Sequence, residues 1–311
     1  MKRSRCFLLA FVFCAIVSGT AFSGDNSFTF VVTADMRDFT AGKYDNSQYF
    51  RGACEAIKKT GAGAFMISPG DIDPPEGVRT VIDEVMGKDY IWYPVVGNHD
   101  TGKSDMNWLR QYNADGKKLP DIVCPGPKGC VETTYSFNYK NAHFAILNEY
   151  FEGKSDTDGD GDVCDGLFQW LADDLKANQK YMIFVSGHVP MISEPDIDTK
   201  RLRHQEGSLN AHEKSYGRFS SLLRQYHVMA YICGHTHNTS FVSINGVWQL
   251  DAGHARGIGD TGVPSTFIRV LVDGNDVSAE FYRLDDKTGE YALKYTVNLS
   301  ENSNQLKPQE K

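Results

Sequence analysis

Past its first two dozen residues the sequence has no apolar run long enough to cross a bilayer, so no later membrane-spanning helix is expected. Excess positive charge is missing as well: 32 Lys and Arg stand against 40 Asp and Glu, a formal net charge of −8. A chain of that balance binds extended nucleic acid poorly through bulk electrostatics, and no such partner is expected. There is no internal repeat, no linker, and no feature that specifies an oligomeric state. Cysteine is scarce, and five remain beyond residue 23. Cys124 and Cys130 flank "CPGPKGC", whose Pro/Gly loop can bring its ends together, and a disulfide is expected there. Cys54, Cys164 and Cys233 leave an odd number, so at least one thiol stays free.

The first residues read as an export signal. Lys2, Arg3 and Arg5 precede the apolar run Cys6–Val17, and small residues follow around Ala21 and Ser23. The run is short for a membrane anchor, and Cys14 follows Phe13 rather than a small residue, which argues against lipoprotein processing. Cleavage after residue 23 leaves about 288 residues with a net charge of −11 and no stable membrane anchor. The expectation is a soluble periplasmic or extracellular protein with one large domain over 24–300 and a frayed polar tail over 301–311.

Within the domain, strand and helix signals alternate. Short branched or aromatic runs at Phe28–Thr33, Ala64–Ile67, Ile91–Val96 and Met182–Val185 predict buried strands. Between them, Phe50, Ala53, Cys54 and Ile57, then Val78, Val81, Ile82 and Val85, recur at helical spacing, as do Phe168, Leu171, Leu175 and Tyr216, Phe219, Leu223, Tyr226. Alternation of this kind predicts parallel strands with crossover helices. Antiparallel additions are expected around Lys140-Asn141, Asn245-Gly246 and Asp273-Gly274.

Strand after strand finishes in a residue able to hold a metal: Asp35, Asp71 in "PGD", Asn98 in "GNHD", His188 in "SGH", and His235 with His237 in "CGHTH". Ligands bind outside the carboxyl ends of strands in open α/β sheets, so these ends should share one rim. Carboxylate, carboxamide and imidazole donors together suit zinc, manganese or iron. Gly70, Gly97, Gly187 and Gly234 precede these residues, where a sharply turning chain needs little bulk. A lone Asp or His at such a place is more often a cap or a surface residue; the ordered set is what points to metal chemistry.

The ordered motifs "D-M-R", "GD", "GNHD", "GH" and "GHTH" resemble those of the calcineurin-like metallophosphoesterases, from about Thr29 to Asp251. The resemblance implies a four-layer α/β/β/α sandwich, two divalent metal ions and a small phosphate-ester substrate. It implies that Asp71 bridges the ions, that Asp35 and His237 hold one, and that Asn98, His188 and His235 hold the other. His99 would contact the phosphate and protonate the leaving group, with Asp100 orienting it. Such a centre attacks phosphomonoesters or phosphodiesters with a metal-bound hydroxide and needs no serine or cysteine nucleophile.

One position departs from the pattern. The family usually writes Asp-x-His first, and here Arg37 stands where that histidine would ligate; an arginine cannot coordinate. The purple acid phosphatase branch compensates with a Tyr three residues after the bridging Asp, but Pro74 occupies that place. Three readings follow: the ion borrows Asp38 or Asp73 and binds weakly, Arg37 forks onto a phosphate oxygen, or Arg37 points outward to Asp38. The motif also leaves room for a catalytically degenerate binding protein on the same fold, and for a metal-dependent nuclease.

A second candidate site is the run "SDTDGDGDVCDG". Asp156, Asp158 and Asp160 alternate, with Gly161 sixth, as in the opening of an EF-hand loop, and Asp162, Cys164 and Asp165 extend a likeness to thrombospondin-type calcium repeats. Position 12 is Leu167 rather than Glu. The readings are a calcium ion bracing the loop, or a solvated turn in which Asp165 caps the next helix. For substrate contacts, Lys200, Arg201, Arg203 and His204 in one loop and His254 and Arg256 in another are the candidates.

Overall fold

The computed structural model describes residues 26–37, 46–257, 262–285 and 287–301. The expected export signal, Asp38, and all of the tail except Glu301 lie outside the described residues.

The first half alternates as its apolar spacing predicts: β1 (Ser27–Val32), α1 (Asn46–Thr60), β2 (Phe65–Ser68), α2 (Pro75–Met86), β3 (Ile91–Pro94) and α3 (Lys103–Tyr112). With helices as crossovers, β1, β2 and β3 pair in parallel. The chain then folds β4 (Ile122–Pro125), β5 (Tyr135–Tyr139) and β6 (Ala142–Ile146) as an antiparallel meander turning at Lys140-Asn141. Next come α4 (Asp165–Asn178), β7 (Met182–Ser186), α5 (Glu213–Gln225) and β8 (Ala230–Cys233), with β6, β7 and β8 parallel. A hairpin of β9 (Thr239–Ile244) and β10 (Val247–Ala252) turns at Asn245-Gly246, where φ values of 53° and 88° meet the demand of a type I′ turn. The last strands, β11 (Thr266–Asp273), β12 (Asp276–Asp285) and β13 (Glu290–Asn298), return to the first sheet beside β1.

Two mixed sheets result, one ordered β13-β12-β11-β1-β2-β3 and the other β4-β5-β6-β7-β8-β10-β9. The period-two alternation of strand side chains divides their residues between two cores. Phe28, Phe30, Val32, Phe65, Ile67 and Tyr93 from one sheet meet Phe137, Phe144, Phe184 and Ile232 from the other. Phe30 stands edge-on to Phe144 and to Phe184, at 5.2 and 5.4 Å between ring centres. The opposite faces, with Val31, Met66 and Trp92 on one sheet and Ala145, Val185 and Tyr231 on the other, lie under helices. Helices α1 and α2 bury the predicted stripe from Phe50 to Val85, and α4 and α5 bury Leu167, Leu171, Leu175, Phe219 and Leu223. The layers are thus α/β/β/α. On α4 the buried stripe begins at Leu167 rather than Phe168, whose ring instead lies under the Arg218 guanidinium at 4.7 Å.

The disulfide expectation fails. Cys54, Cys124, Cys130, Cys164 and Cys233 are all free thiols. Cys130 is turned into the core, its Sγ 3.3 Å from Thr133 Oγ1 and 3.1 Å from Thr134 Oγ1. Cys124 is held on β4, which pairs with β5, and its Sγ faces the Pro125 carbonyl at 3.5 Å. The Pro/Gly loop closes through backbone bonds instead, Gly126 N to Val131 O and Cys130 N to Pro127 O.

Candidate metal centre

The carboxyl ends of β1, β2, β3, β7 and β8 do share one rim, stitched by backbone bonds between strand ends. Asp35 N donates to Gly70 O at 3.1 Å and Gly234 N to His188 O at 3.0 Å. Asp35, Asp71, His235 and His237 all sit in the left-handed region, with φ of 50°, 52°, 70° and 57°. Conformations of this kind cost about 1–3 kcal/mol each and gather at functional sites. Of the four glycines before the candidate ligands, only Gly70 needs a positive φ, 81°. The others are small because neighbours crowd them. A Cβ on Gly97 would strike the Asp71 backbone nitrogen and carboxylate, one on Gly187 would strike Tyr231 and Glu149, and one on Gly234 would meet Asp35 Oδ2 and Ala34.

One group of donors converges tightly. His188 Nε2 lies 3.1 Å from Asn98 Oδ1 and 3.2 Å from His235 Nδ1, and His235 Nδ1 lies 3.1 Å from Asn98 Oδ1. Asp71 Oδ1 is 3.5 Å from His188 Nε2. Donors at roughly 2.1 Å from a common ion are separated by about 3.0–3.4 Å, so this spacing fits one divalent cation. The protonation pattern fits as well. His188 Nδ1–H donates to the Pro69 carbonyl at 2.8 Å, which leaves the Nε2 lone pair facing the group. Burial, reinforced by His188 and His204, pushes the His235 imidazole down to about 2, so it is neutral.

The other group is Asp35, Asp71 and His237, whose ligand atoms lie within 4.8 Å of one another. Asp35 is wholly buried; its Oδ2 accepts from His235 N at 2.9 Å, and its Oδ1 has no hydrogen-bond partner. Burial and the neighbouring Asp71 charge hold the Asp35 carboxyl well above its usual range, against the pull of Arg256. His237 Nε2 faces Asp35 Oδ1 at 3.4 Å. Two guanidinium groups already crowd this imidazole. Arg256 Nη2 lies 2.7 Å from Nδ1 and 2.8 Å from Nε2, and Arg203 Nη1 lies 2.7 Å from Nδ1.

His99 and Arg37 stand together at the mouth. Arg37 Nη1 is 2.8 Å from His99 Nε2 and its Nε donates to Asp73 Oδ1 at 3.2 Å. His99 also places its backbone N–H on Asp71 Oδ1 at 3.0 Å, while its ring remains 41 % exposed. Partial burial lowers the imidazole's affinity for a proton; Asp71 opposes this and Arg37 adds to it. Asp100 does not orient the His99 ring as the resemblance implied. It is buried and accepts from Ile72 N at 2.8 Å and Gly97 N at 2.6 Å, tying the β2 and β3 ends together. His254 is not a substrate contact: it is fully enclosed, its Nε2 near the Val263 carbonyl at 3.2 Å and its Nδ1 accepting from Arg256 N at 3.3 Å. That last bond ties its ring to the backbone from which the Arg256 side chain extends.

The acidic loop does not form a calcium cage. Asp156 is taken by Arg110 through two bonds, at 2.5 and 3.0 Å. Asp162 accepts from Ser215 at 2.7 Å, Asp158 from Thr157 at 3.0 Å, and Asp165 pairs with Arg218 at the surface. Among the described residues, Asp156, Asp158, Asp160, Asp162 and Asp165 supply no group of three close ligand atoms. Asp165 opens α4 but makes no side-chain cap. Donors on α3 and α5 draw Asp156, Asp162 and Asp165 apart.

Two supporting residues were not legible beforehand. Glu149, just past β6, accepts from His188 N at 2.8 Å, Val189 N at 2.7 Å and the Tyr231 hydroxyl at 2.6 Å, and burial raises its carboxyl to about 7 against those bonds. Asp251 accepts from Thr236 Oγ1 at 2.5 Å and Gly253 N at 3.0 Å, fixing the turn between His235 and His237. Glu149 follows a strand end, the same signal that marked the candidate ligands, whereas Asp251 lies within β10, and neither belongs to a motif.

The sequence model of calcineurin-like phosphoesterases matches residues 28–239. No curated protein matches the chain. Among solved structures, GAP50, the anchor in the inner membrane complex of Plasmodium, superposes with a TM-score of 0.55 at 20% identity, covering 91% of this chain and 90% of its own. PhoD superposes with a TM-score of 0.56 at 10% identity, covering 93% and 73% respectively. At such identities the likeness is one of fold.

Proposed function

Because the chain belongs to the calcineurin-like phosphoesterase family, we propose that it is an exported, metal-dependent hydrolase of small phosphomonoesters or phosphodiesters. The observation that carries this reading is the convergence of Asn98 Oδ1, His188 Nε2 and His235 Nδ1 at 3.1–3.2 Å, with Asp71 beside them. A manganese, iron or zinc ion bound there would supply Lewis acidity, lowering the pKa of a water and stabilising charge on phosphoryl oxygens. Asn98, His188, His235 and Asp71 would hold it. His99 and Arg37 face the space in front, where the guanidinium can fork onto phosphoryl oxygens and the imidazole can pass a proton to the leaving oxygen. An arriving phosphate dianion favours the protonated imidazole, reversing the effect of burial and of Arg37. Arg203 and His204, 3.0 Å apart, border the same space. Export rests on Lys2, Arg3, Arg5 and the apolar run that follows.

A second reading, a binding protein that keeps the fold without the reaction, is favoured by one observation: Arg37 stands where the family places a ligand. The GAP50 neighbour, an anchor rather than a named hydrolase, illustrates that use of the fold. Hydrolysis of p-nitrophenyl phosphate and bis(p-nitrophenyl) phosphate, with manganese, zinc or iron added after chelation, separates the two. Turnover restored by metal and abolished by His188→Ala supports the hydrolase; no turnover with either ester under any metal favours the binding protein.

A further inference from the structure

Two of the three candidate metal-binding histidines of the rim, His188 and His237, meet partners of opposite kinds. His188 Nδ1 faces a carbonyl, an acceptor, at 2.8 Å, so Nδ1 carries the proton and Nε2 offers its lone pair to the donor group. This is the arrangement that metal-binding histidines adopt. His237 Nδ1 instead faces two guanidinium nitrogens, of Arg203 and Arg256, each at 2.7 Å. Guanidinium groups are donors only and stay charged. Arg256 Nη2 also lies 2.8 Å from His237 Nε2, so a charged group that can only donate occupies the ring edge from which this histidine would offer a lone pair to an ion.

Arg256 is fixed in this place. It is 1% exposed, its Nε donates to Asp35 O at 2.6 Å, and its Nη2 lies within 2.8 Å of both His237 ring nitrogens. Its charge lies against the same buried carboxylate that a second ion would neutralise. A divalent cation beside that guanidinium would meet repulsion of several kcal/mol even at an effective dielectric near 20. The chain has thus lost a ligand at Arg37 and carries a fixed positive charge in the half of the centre that Arg37 leaves incomplete.

We propose that Arg256, with Arg203 beside it, supplies at Asp35 and His237 the positive charge that a second metal ion would otherwise supply. The centre then holds one ion, on Asn98, His188, His235 and Asp71, next to a fixed guanidinium pair. This rests on the metal-centre reading above, and the test separates the two.

Purified full-length mature protein is stripped with chelator, reloaded with manganese, and measured by elemental analysis and by electron paramagnetic resonance. The expected result is one ion per chain with the signal of an isolated manganese. No bound ion would sink the metal-centre reading itself; two ions with an exchange-coupled signal would leave that reading standing and overturn the arginine proposal. Three variants extend the test. R37H restores the family ligand yet should still take one ion, because Arg256 remains. R37H/R256Q should gain a second ion, at least tenfold tighter than in R37H, with a coupled signal. If R37H alone takes two ions, or R37H/R256Q gains none, the proposal fails. R256K, which keeps the charge, should stay at one ion, and circular dichroism with retention of the first ion reports folding of each variant.

Discussion

Replacing Arg283 by Met should cost about 3 kcal/mol of stability, a fall of roughly 150-fold in the folded-to-unfolded ratio. Arg283 on β12 is 1% exposed, and its Nη2 meets the enclosed Asp196 carboxylate at 2.7 Å. Removing one partner of a buried pair typically costs about 3–5 kcal/mol because the other is left charged in a poorly hydrated place. Asp196 keeps other donors: the amides of Asp198, Thr199 and Thr239 at 3.1, 2.9 and 3.0 Å, and the Thr199 hydroxyl at 3.0 Å. These hold the loss to the lower end of that range. The second contact of Arg283, with the partly exposed Asp198, adds little. The sign of the pH effect follows from the same contacts. Burial alone would raise the Asp196 carboxyl, but Arg283 and the backbone amides of Thr199 and Thr239 outweigh it and hold it below its usual range. Its contribution is therefore complete above the unfolded value near 3.9 and is lost as pH falls through the folded one. In Arg283→Met, burial would gain weight and raise that value, so the deficit should narrow as pH drops from 7 toward 4.5. Urea denaturation at both pH values measures this, with Asp196→Asn and the double variant completing a cycle. A loss under 1 kcal/mol at pH 7, or single losses that simply add in the double, would refute the buried-pair account.

Other buried contacts give further outcomes. Glu149→Gln should lose only about 1 kcal/mol, since an amide oxygen can still accept from His188 N and Val189 N. Glu149→Ala should lose about 4 kcal/mol, because those two N–H groups go unpaired beside a cavity and the Tyr231 hydroxyl keeps only the Val189 carbonyl; urea melts distinguish them. Gly187→Ala should cost about 3 kcal/mol by driving a methyl into Tyr231 and Glu149, whereas Gly217→Ala, with open space around it inside α5, should gain about 1 kcal/mol. Steady-state kinetics on an aryl phosphomonoester should show kcat for His99→Ala reduced by about 10²–10⁴-fold with bound metal unchanged; a proportionate loss of metal would assign His99 to ligation instead.

Much of the rim was legible because each candidate ligand follows a short buried strand and a turn, and parallel strands deliver such positions to a common edge. The layers followed from period: Phe28, Phe30 and Val32 alternate with Val31, and the alternation assigns one set to the inter-sheet core and the other to the helices. What stayed hidden depends on partners distant in sequence. Asp100 reads as a companion of His99, but the amides of Ile72 and Gly97 reach it first. The carboxylates around Asp160 alternate like a calcium loop, yet Arg110 on α3 and Ser215 on α5 claim two of them, and no spacing within the loop announces that. Cys124 and Cys130 are close in sequence, but β4 pairing fixes one and the core takes the other. The direction of the His237 ring depends on Arg203 and Arg256, from two separate loops.

The rim also shows why the motif residues are Asp and His rather than other ligands. At Asp35, Asp71, His235 and His237 the backbone is left-handed, because each strand must turn sharply to bring its side chain over the sheet edge. Asp, Asn and His are the non-glycine residues that enter this region most readily. Ligation and backbone therefore select from overlapping sets, which Glu and Cys satisfy only in part. Asp71→Glu would carry the same charge but add a methylene beside Gly97, whose own Cβ position already overlaps Asp71. It should lose both stability and the spacing to His188, so a carboxylate alone is not sufficient at that position. The strain of four such residues amounts to several kcal/mol, and the aromatic core between the sheets, built around Phe30, Phe65, Phe144 and Phe184, is the part of the fold able to offset it.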